Sequence, residues 1–438
     1  MKIGIITLGC KVNTYESNAL AQGLEKRGFE VVDASEACDA FIINTCSVTN
    51  TADAKSKKMI RHAIKLNPNA LICVCGCFSQ ASPDEVAKID GVDIIVGNGN
   101  KEKLVDLIVE NIGKKRESKY IDVIDILHHN LYDTLAINEF DHTRAFIKIE
   151  DGCNNFCTYC IIPYARGPIR CKNHNDVIKE IKEVVENGYK EVVLTGIHTG
   201  KYNDNGINLS GLVKMILTEV PKLERLRLSS IEINEIDDDF INMMRKSKVL
   251  ANHLHLPLQA GSDHVLKLMN RRYDKAYFLD KINKIREARP DIAISTDIIV
   301  GFPEESEDDF KETLEFSKEI NFSKIHVFPY SKRNGTKAAL MTQVKDIIKT
   351  NRTKELINLS SKLEKNYYVK FLDQELEVIF EQKYNNYLIG HTSNFIQVVV
   401  PYDEKYLKKN VMVKLLNYID GKIIGEIVDY EWEKKRIF

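Results

Sequence analysis

The chain has 438 residues, more than one hydrophobic core accommodates, so two or three domains are expected. With 44% hydrophobic and 29% charged residues the composition is that of a folded globular protein, and a formal net charge of −1 excludes a global attraction to nucleic acid; such a partner would be held by local patches. The apolar run in "MKIGIITLGC" falls short of the ~7–15 residues of a secretory signal, and no window approaches the ~18 apolar residues of a membrane span, so a cytoplasmic protein with no membrane partner is expected.

From Lys2 to about residue 115 short apolar runs alternate with helical patterns. "KIGIIT", "EVV", "AFIIN", "LICVC" and "DIIVG" predict buried parallel strands, and "NTYESNALAQGLEKRG" and "ADAKSKKMIRHAIKLN" predict helices ending at Gly28 and at Asn67-Pro68. That alternation predicts a small doubly wound α/β domain. Cys10, Cys46 and Cys77 each fall just past the carboxyl end of a predicted strand, where ligands bind in an open α/β sheet, so three thiols distant in sequence should meet on one rim.

Residues 116–138, including most of "DILHHNLYDTLAINEFDHT", show no sustained period and are expected to link two domains. Six candidate strands follow: "AFIKI", "EVVLT", "RLRLS", "HLHLP", "AISTDIIV" and "IHVFP", with helical patterns between most of them. They predict an incomplete (βα)6 barrel over residues 139–367, open on one side, with its chemistry at the strands' carboxyl ends. A Lys-rich helical pattern at 342–365 leads to a final section, 368–438, of alternating apolar and polar residues around Gly, Asn and Asp turns, which predicts a small β-barrel.

Ten cysteines are too few for a disulfide scaffold in a chain this long, and clustered thiols in a reducing compartment point to metal or to chemistry. Following the first barrel strand, "CNNFCTYCIIPYARG" places Cys153, Cys157 and Cys160 as C-x3-C-x2-C, with Cys171 farther along. Structural zinc prefers a closed tetrahedral shell, which here would need Cys171 or a nearby histidine. Three thiolates instead hold three irons of a four-iron cluster and leave the fourth open to a ligand bearing an amine and a carboxylate, such as the methionyl end of S-adenosylmethionine. Phe156 and Tyr159 lie between the thiols, placed to shield such a cluster.

This loop and the barrel resemble the radical S-adenosylmethionine superfamily. Nearly the whole chain resembles its methylthiotransferase branch, through "LGCKVNTYES", "NTCSVTNTAD", "VCGCFSQ", "CNNFCTYCIIPYARG", "HLPLQAGS", "STDIIVGFPEES" and "FPYSKRNGTKAA". The closing module resembles that branch's TRAM domain, an OB-like RNA-binding barrel. The wording around Lys11-Val12-Asn13 and the cluster loop is most similar to members that modify N6-threonylcarbamoyladenosine in tRNA.

The resemblance implies two [4Fe-4S] clusters, one on Cys153, Cys157 and Cys160 and one on Cys10, Cys46 and Cys77, with the amino-terminal domain spanning 1–115. Cys75 is the alternative to Cys77, because strand alternation puts the two on one face. Cys38 and Cys171 read as ordinary reduced cysteines. S-adenosylmethionine would serve as methyl donor and as radical source. Its expected contacts are Thr195 and Gly196 in "TGIHTG", Arg166, His255 and Gln259 in "HLHLPLQAGS", and Asp297 and Gly301 in "TDIIVGFPEES". His255 reads equally as a hydrogen-bonded core residue, and Asp297 as a strand residue partnered by a helix. Ala260, Glu304 and Ser306 depart from the family pattern. Lys332, Arg333 and Lys337 suit phosphates or a solvated turn, as do Lys405, Lys408, Lys409, Lys434, Lys435 and Arg436 in the last module.

The implied reaction adds a methylthio group at C2 of N6-threonylcarbamoyladenosine at position 37 of tRNA, next to the anticodon. The implied partners are the tRNA anticodon loop and an electron donor such as flavodoxin or ferredoxin, and the protein is expected to be a monomer. Isopentenyladenosine in tRNA and a ribosomal-protein aspartate are the alternative substrates. A metal-binding RNA-binding protein without catalysis is the alternative class.

Overall fold

A computed structural model describes residues 1–114, 118–132, 137 and 143–428. The five expected amino-terminal strands form as β1 (Lys2–Thr7), β2 (Glu30–Val32), β3 (Ala40–Thr45), β4 (Leu71–Gly76) and β5 (Ile94–Val96). A sixth, β6 (Tyr120–Asp122), pairs in parallel with β5, so the sheet runs past residue 115 and takes in part of the segment read as linker. The order is β2-β1-β3-β4-β5-β6 with every pair parallel.

Helices α1 (Lys11–Glu25) and α2 (Asn50–Leu66) cover opposite faces of this sheet, and for that reason β3 and β4 are buried along their whole length. Thr49 caps α2 by accepting the Ala52 amide at 3.1 Å, whereas α1 has Cys10 at its cap position and no side-chain cap bond. A single turn, α3 (Cys77–Ala81), follows β4 directly.

The six expected barrel strands are β7 (Arg144–Lys148), β8 (Glu191–Thr195), β9 (Arg225–Leu228), β10 (His253–His255), β11 (Ala293–Val300) and β12 (Lys324–Pro329). They form two parallel triplets, β9-β8-β7 and β10-β11-β12, joined where Leu226 bridges Leu250 and Ser230 bridges His255. Among the described residues β12 does not pair with β7, so the arc is open there. The turn α4 (Ile162–Arg166) closes the loop after β7. Helix α1 packs at the β7 edge: Tyr15 enters the barrel's core and its hydroxyl donates to Glu180 at 2.9 Å.

Helix α5 (Asp346–Val369) runs from the barrel to a closed five-stranded barrel of β13 (Glu375–Tyr384), β14 (Tyr387–Thr392), β15 (Gln397–Pro401), β16 (Asn410–Ile419) and β17 (Lys422–Ile427). Lys434, Lys435 and Arg436 lie outside the described residues. No described helix is long and apolar enough to cross a membrane.

This small barrel seals the amino-terminal mouth of the large one. Arg225 donates to the His391 carbonyl at 3.1 Å and Arg227 to the Ser393 carbonyl at 3.2 Å, while Arg144 pairs with Glu381 at 3.1 Å. Phe395 is the plug: its ring stacks on His253 at 4.9 Å and lies 4.7 Å from the Arg227 guanidinium. Beneath it Glu191, fully buried, binds Arg225 at 3.1 Å and Arg227 at 2.7 Å.

Burial alone would raise the Glu191 carboxyl, but the two arginines hold it down at about 2 from an ordinary 4.5. Its folded value lies below the free one, so the ionised form favours folding. That contribution, ~3 kcal/mol at 1.36 per pH unit, is complete above pH ~4.5 and is lost as pH falls toward 2. Glu191→Gln should therefore be less stable than the unaltered chain at pH 7, yet lose less stability on acidification. Parallel acid limbs in urea titrations of the two proteins would refute this role.

Candidate active site

β1, β3 and β4 are neighbours in the sheet, so Cys10, Cys46 and Cys77, each just beyond one of their carboxyl ends, gather on one rim. Gly9 stands at φ +102°, and a Cβ there would come within 2.9 Å of the Cys46 sulfur. Gly76 stands at φ +98° with the Thr45 carbonyl against it, which makes the sharp turn that swings Cys77 off the strand. That turn also ends the strand alternation, so Cys75 does not share the Cys77 face. Cys75 is packed with Cys73 and Leu104, and burial pushes its thiol up to about 12. Cys10 and Cys46 lie within Coulombic reach of each other or of Cys77 and of Arg166. Cys171 stays apart, its sulfur accepting the Asn203 amide at 3.3 Å.

Arg166 does not present its guanidinium to a bound carboxylate as expected; the protein's own carboxylates take it. It is fully buried between the domains, bonded to Glu16 at 2.8 Å, Asp151 at 3.0 Å and the Asn13 side chain at 2.5 Å, and its Nε lies 3.4 Å from the Cys77 sulfur. Glu16 also receives Lys148 at 2.9 Å and the Lys101 ammonium, and Lys148 reaches Asp151 at 2.7 Å. Burial alone would raise the Glu16 carboxyl; Arg166, Lys101 and Lys148 hold it well below the usual range. Asn98 completes the setting, 3.6 Å from the Cys77 sulfur and 2.6 Å from the Ala165 carbonyl.

Across the seam, Cys153, Cys157 and Cys160 share one short loop. The Cys160 amide bonds the Cys157 carbonyl at 2.9 Å, and the Thr158 amide is anchored to Met269 at 3.1 Å. Two side chains that the sequence reading did not single out border these thiols. Arg271 lies 3.3 Å from the Cys157 sulfur and pairs with Glu232 at 2.9 Å. His198 lies 3.6 Å from the Cys153 sulfur and 2.5 Å from Glu235; burial opposes its charge, but Cys153 and Glu235 raise it to about 10. His198 was within reach of sequence reasoning, because it lies in "TGIHTG" at a strand end; Arg271 had no such signal. Tyr159 packs edge-on to Phe302 at 6.2 Å, while Phe156 is exposed against Tyr164.

Three thiolates in each set have the donor chemistry of iron–sulfur ligation, and neither set is drawn together tightly enough to hold a single ion. Among the described residues the donor sets drawn within 4.8 Å of one another are His255/Asp297/His326 and His198/Glu232/Glu235, and neither thiol triad is that close. A tetrahedral zinc with bonds of ~2.3 Å would require closer sulfurs.

The remaining expected contacts divide. His255 and Asp297 are half-buried in the barrel lumen, 3.1 Å apart, with His255 also bonded to Ser295 at 2.9 Å and its ring 5.6 Å from that of His326. Thr195 is buried at the end of β8, and Gly196 leaves room for Glu150, whose carboxylate accepts the Ile197 and His198 amides at 2.9 and 2.7 Å. Gln259, at φ +70°, is tied by its backbone to Asp297 and Ile299 of β11. Gly301 differs from expectation: the close approach it permits is that of Lys349 on α5, and its amide donates to Glu305 at 2.5 Å. Arg333 likewise meets no phosphate. It is buried against Ser47 at 2.8 Å and Asp53 at 2.7 Å, latching the loop after β12 onto the amino-terminal domain, while Lys332 and Lys337 remain exposed.

Residues 2–97 match the Uncharacterized protein family UPF0004 and residues 147–317 the Radical SAM superfamily. The threonylcarbamoyladenosine tRNA methylthiotransferase MtaB of Bacillus subtilis is 43% identical, with 98% of each chain covered. A tRNA-2-methylthio-N(6)-dimethylallyladenosine synthase of Thermoanaerobacter is 36% identical over 97% of this chain and 92% of its own. In fold, the chain is similar to the radical S-adenosylmethionine methyltransferase TsrM of Kitasatospora setae, with TM-score 0.58, 14% identity, and 77% and 76% of the two chains covered.

Removing Arg166 would leave Glu16 and Asp151 buried with fewer cations. Arg166→Ala should cost about 3–5 kcal/mol in urea unfolding, and a loss below about 1 kcal/mol would show that the seam does not depend on it.

Proposed function

This chain belongs to the radical S-adenosylmethionine methylthiotransferase family, and we propose that it converts N6-threonylcarbamoyladenosine beside the tRNA anticodon to its 2-methylthio derivative. Cys153, Cys157 and Cys160 hold the four-iron cluster that membership implies, and we assign a second cluster to Cys10, Cys46 and Cys77. Bound there, these groups and S-adenosylmethionine supply a carbon radical and a transferable methylated sulfur, which an unactivated aromatic C–H requires because it is neither acidic nor electrophilic.

The observation that carries the reading is a pair of three-thiol sets, one in each domain, joined by Arg166, which follows the Cys153–Cys160 loop and borders the Cys77 sulfur. The protein's own part is enclosure. A primary radical attacks any loose C–H, so the nucleotide must react in a dry, fixed space. Phe395 floors that space, α1 covers its open edge, and Arg333 latches its far side. A base in the anticodon loop is splayed into such a cavity at lower cost than one in a duplex. We further propose a cytoplasmic monomer reduced by a flavodoxin- or ferredoxin-type donor.

The name of the Thermoanaerobacter relative keeps a neutral, dimethylallyl substrate as the second reading. Mass spectrometry of tRNA nucleosides from cells lacking the protein separates the two. The expected result is loss of 2-methylthio-N6-threonylcarbamoyladenosine with accumulation of its precursor; an unchanged level rules this substrate out. Metal content tests the two-cluster assignment: about eight irons per chain are expected. Cys77→Ala should lose about half of them and still cleave S-adenosylmethionine, Cys157→Ala should not cleave it, and Cys75→Ser should keep all its iron. Iron loss in Cys75→Ser would show the wrong thiol was assigned.

A further inference from the structure

We propose that Lys11 binds the carboxylate of the substrate's threonylcarbamoyl group and so selects an anionic modified adenosine over a neutral one; this rests on the substrate reading above. Lys11 opens α1 and directly follows Cys10. Its side chain is exposed, yet it lies within Coulombic reach of Arg144, Glu191 and Arg227 on three barrel strands and of His253 and His326 on two more. A solvent-accessible group with barrel strands on so many sides opens toward the barrel interior and not the outer surface. Lys11 therefore follows the rim at Cys10 and extends its ammonium into the lumen, toward the floor where Glu191 and Arg227 lie.

Lys11 has no hydrogen-bond or ion-pair partner among the described residues. The other cations of the lumen are already paired. Arg225 and Arg227 share Glu191, Arg144 holds Glu381, and Lys324 holds Glu364 at 2.7 Å. Asp297, the remaining lumen acid, is taken by His255. Lys11 is left as the lumen cation with no carboxylate of the described residues against it, and the positive end of the α1 dipole adds to its charge.

The chemistry of adenine says what that charge is for. C2 and C6 of the ring flank the same nitrogen, N1. A base that offers C2 to the rim of Cys10, Cys46 and Cys77 therefore brings its N6 substituent to the same rim, one residue from Cys10. A threonylcarbamoyl group ends in a carboxylate, which an ammonium binds by a charge-assisted hydrogen bond. A dimethylallyl group offers no acceptor and would leave the ammonium unpaired in the closed site, which is how a site built for a polar group rejects an apolar one.

The test uses the reconstituted holoenzyme and anticodon stem-loop RNAs carrying threonylcarbamoyladenosine, its neutral carboxamide analogue, or dimethylallyladenosine. Stem-loop affinity is measured by fluorescence anisotropy, and kcat and KM are measured separately. The unaltered enzyme should prefer the carboxylate to the carboxamide by about 10- to 100-fold in kcat/KM, the worth of one hydrogen bond to a charged group. Lys11→Met should erase that preference by losing the carboxylate substrate and sparing the carboxamide, and Lys11→Arg should restore most of it. Iron content and cleavage of S-adenosylmethionine without RNA report whether the variants keep both clusters. Should Lys11→Met lose iron, the carboxylate-to-carboxamide ratio of the unaltered enzyme and of Lys11→Arg decides. Equal use of the two RNAs by the unaltered enzyme, or a preference surviving in an iron-replete Lys11→Met, overturns the proposal. Modification of the dimethylallyl RNA alone would instead overturn the substrate reading beneath it.

Discussion

The structure depends on one buried exchange of charge. Glu16 from the amino-terminal domain and Asp151 from the barrel are both removed from water, and both are answered by Arg166, with Lys148 shared between them. Such a network is weak evidence for stability by itself, because desolvation offsets much of the attraction. What it supplies is geometry. The planar guanidinium meets carboxylates from two domains at once, so small displacements of either domain leave a buried charge unpaired. The same guanidinium borders the Cys77 sulfur. The position of one thiol rim is thus fixed relative to the strand that carries the other.

From that constraint the rest of the enclosure follows. A seam fixed at α1 and α4 leaves the barrel's far side and its floor to be closed, and the chain closes each with an arginine. Arg333 reaches back to Ser47, next to Cys46, and to Asp53 in the first turn of α2, and Arg227 hangs Phe395 under the lumen. Each of these arginines joins segments far apart in sequence, so each closure costs loop entropy that only the folded whole offsets. The three modules therefore work as walls of one chamber.

The elements that were legible in the sequence are those set by short-range pattern. All six barrel strands and the five-stranded closing barrel stand where apolar runs and turns put them, and the amino-terminal cysteines lie where strand ends put them. The failures are long-range. Arg166 and Arg333 read as ligand contacts because a lone arginine beside a site has no visible partner in one dimension; Glu16 lies 150 positions from Arg166, and Asp53 lies 280 from Arg333. Gly301 read as a cradle for a nucleoside, whereas its missing side chain accommodates a lysine of α5. The Cys75 alternative rested on alternation, which holds only while the strand continues, and Gly76 ends it.

The barrel strands carry a further message in their alternation. "RLRLS" and "HLHLP" alternate polar and apolar residues, a pattern usually produced by a sheet with one wet face. Here the apolar set, Leu226, Leu228 and Leu254, faces the helices, and the polar set, Arg225, Arg227, His253 and His255, lines the interior. A barrel of this size that only had to be stable would fill its interior with branched apolar side chains. Charged and imidazole groups there are expensive unless paired, and most are paired. The exception is an accessible lysine that follows Cys10 and reaches into this lumen, and it bears directly on the proposed occupant. An interior kept polar at this cost is shaped for a ligand that brings its own hydrogen bonds and a negative charge.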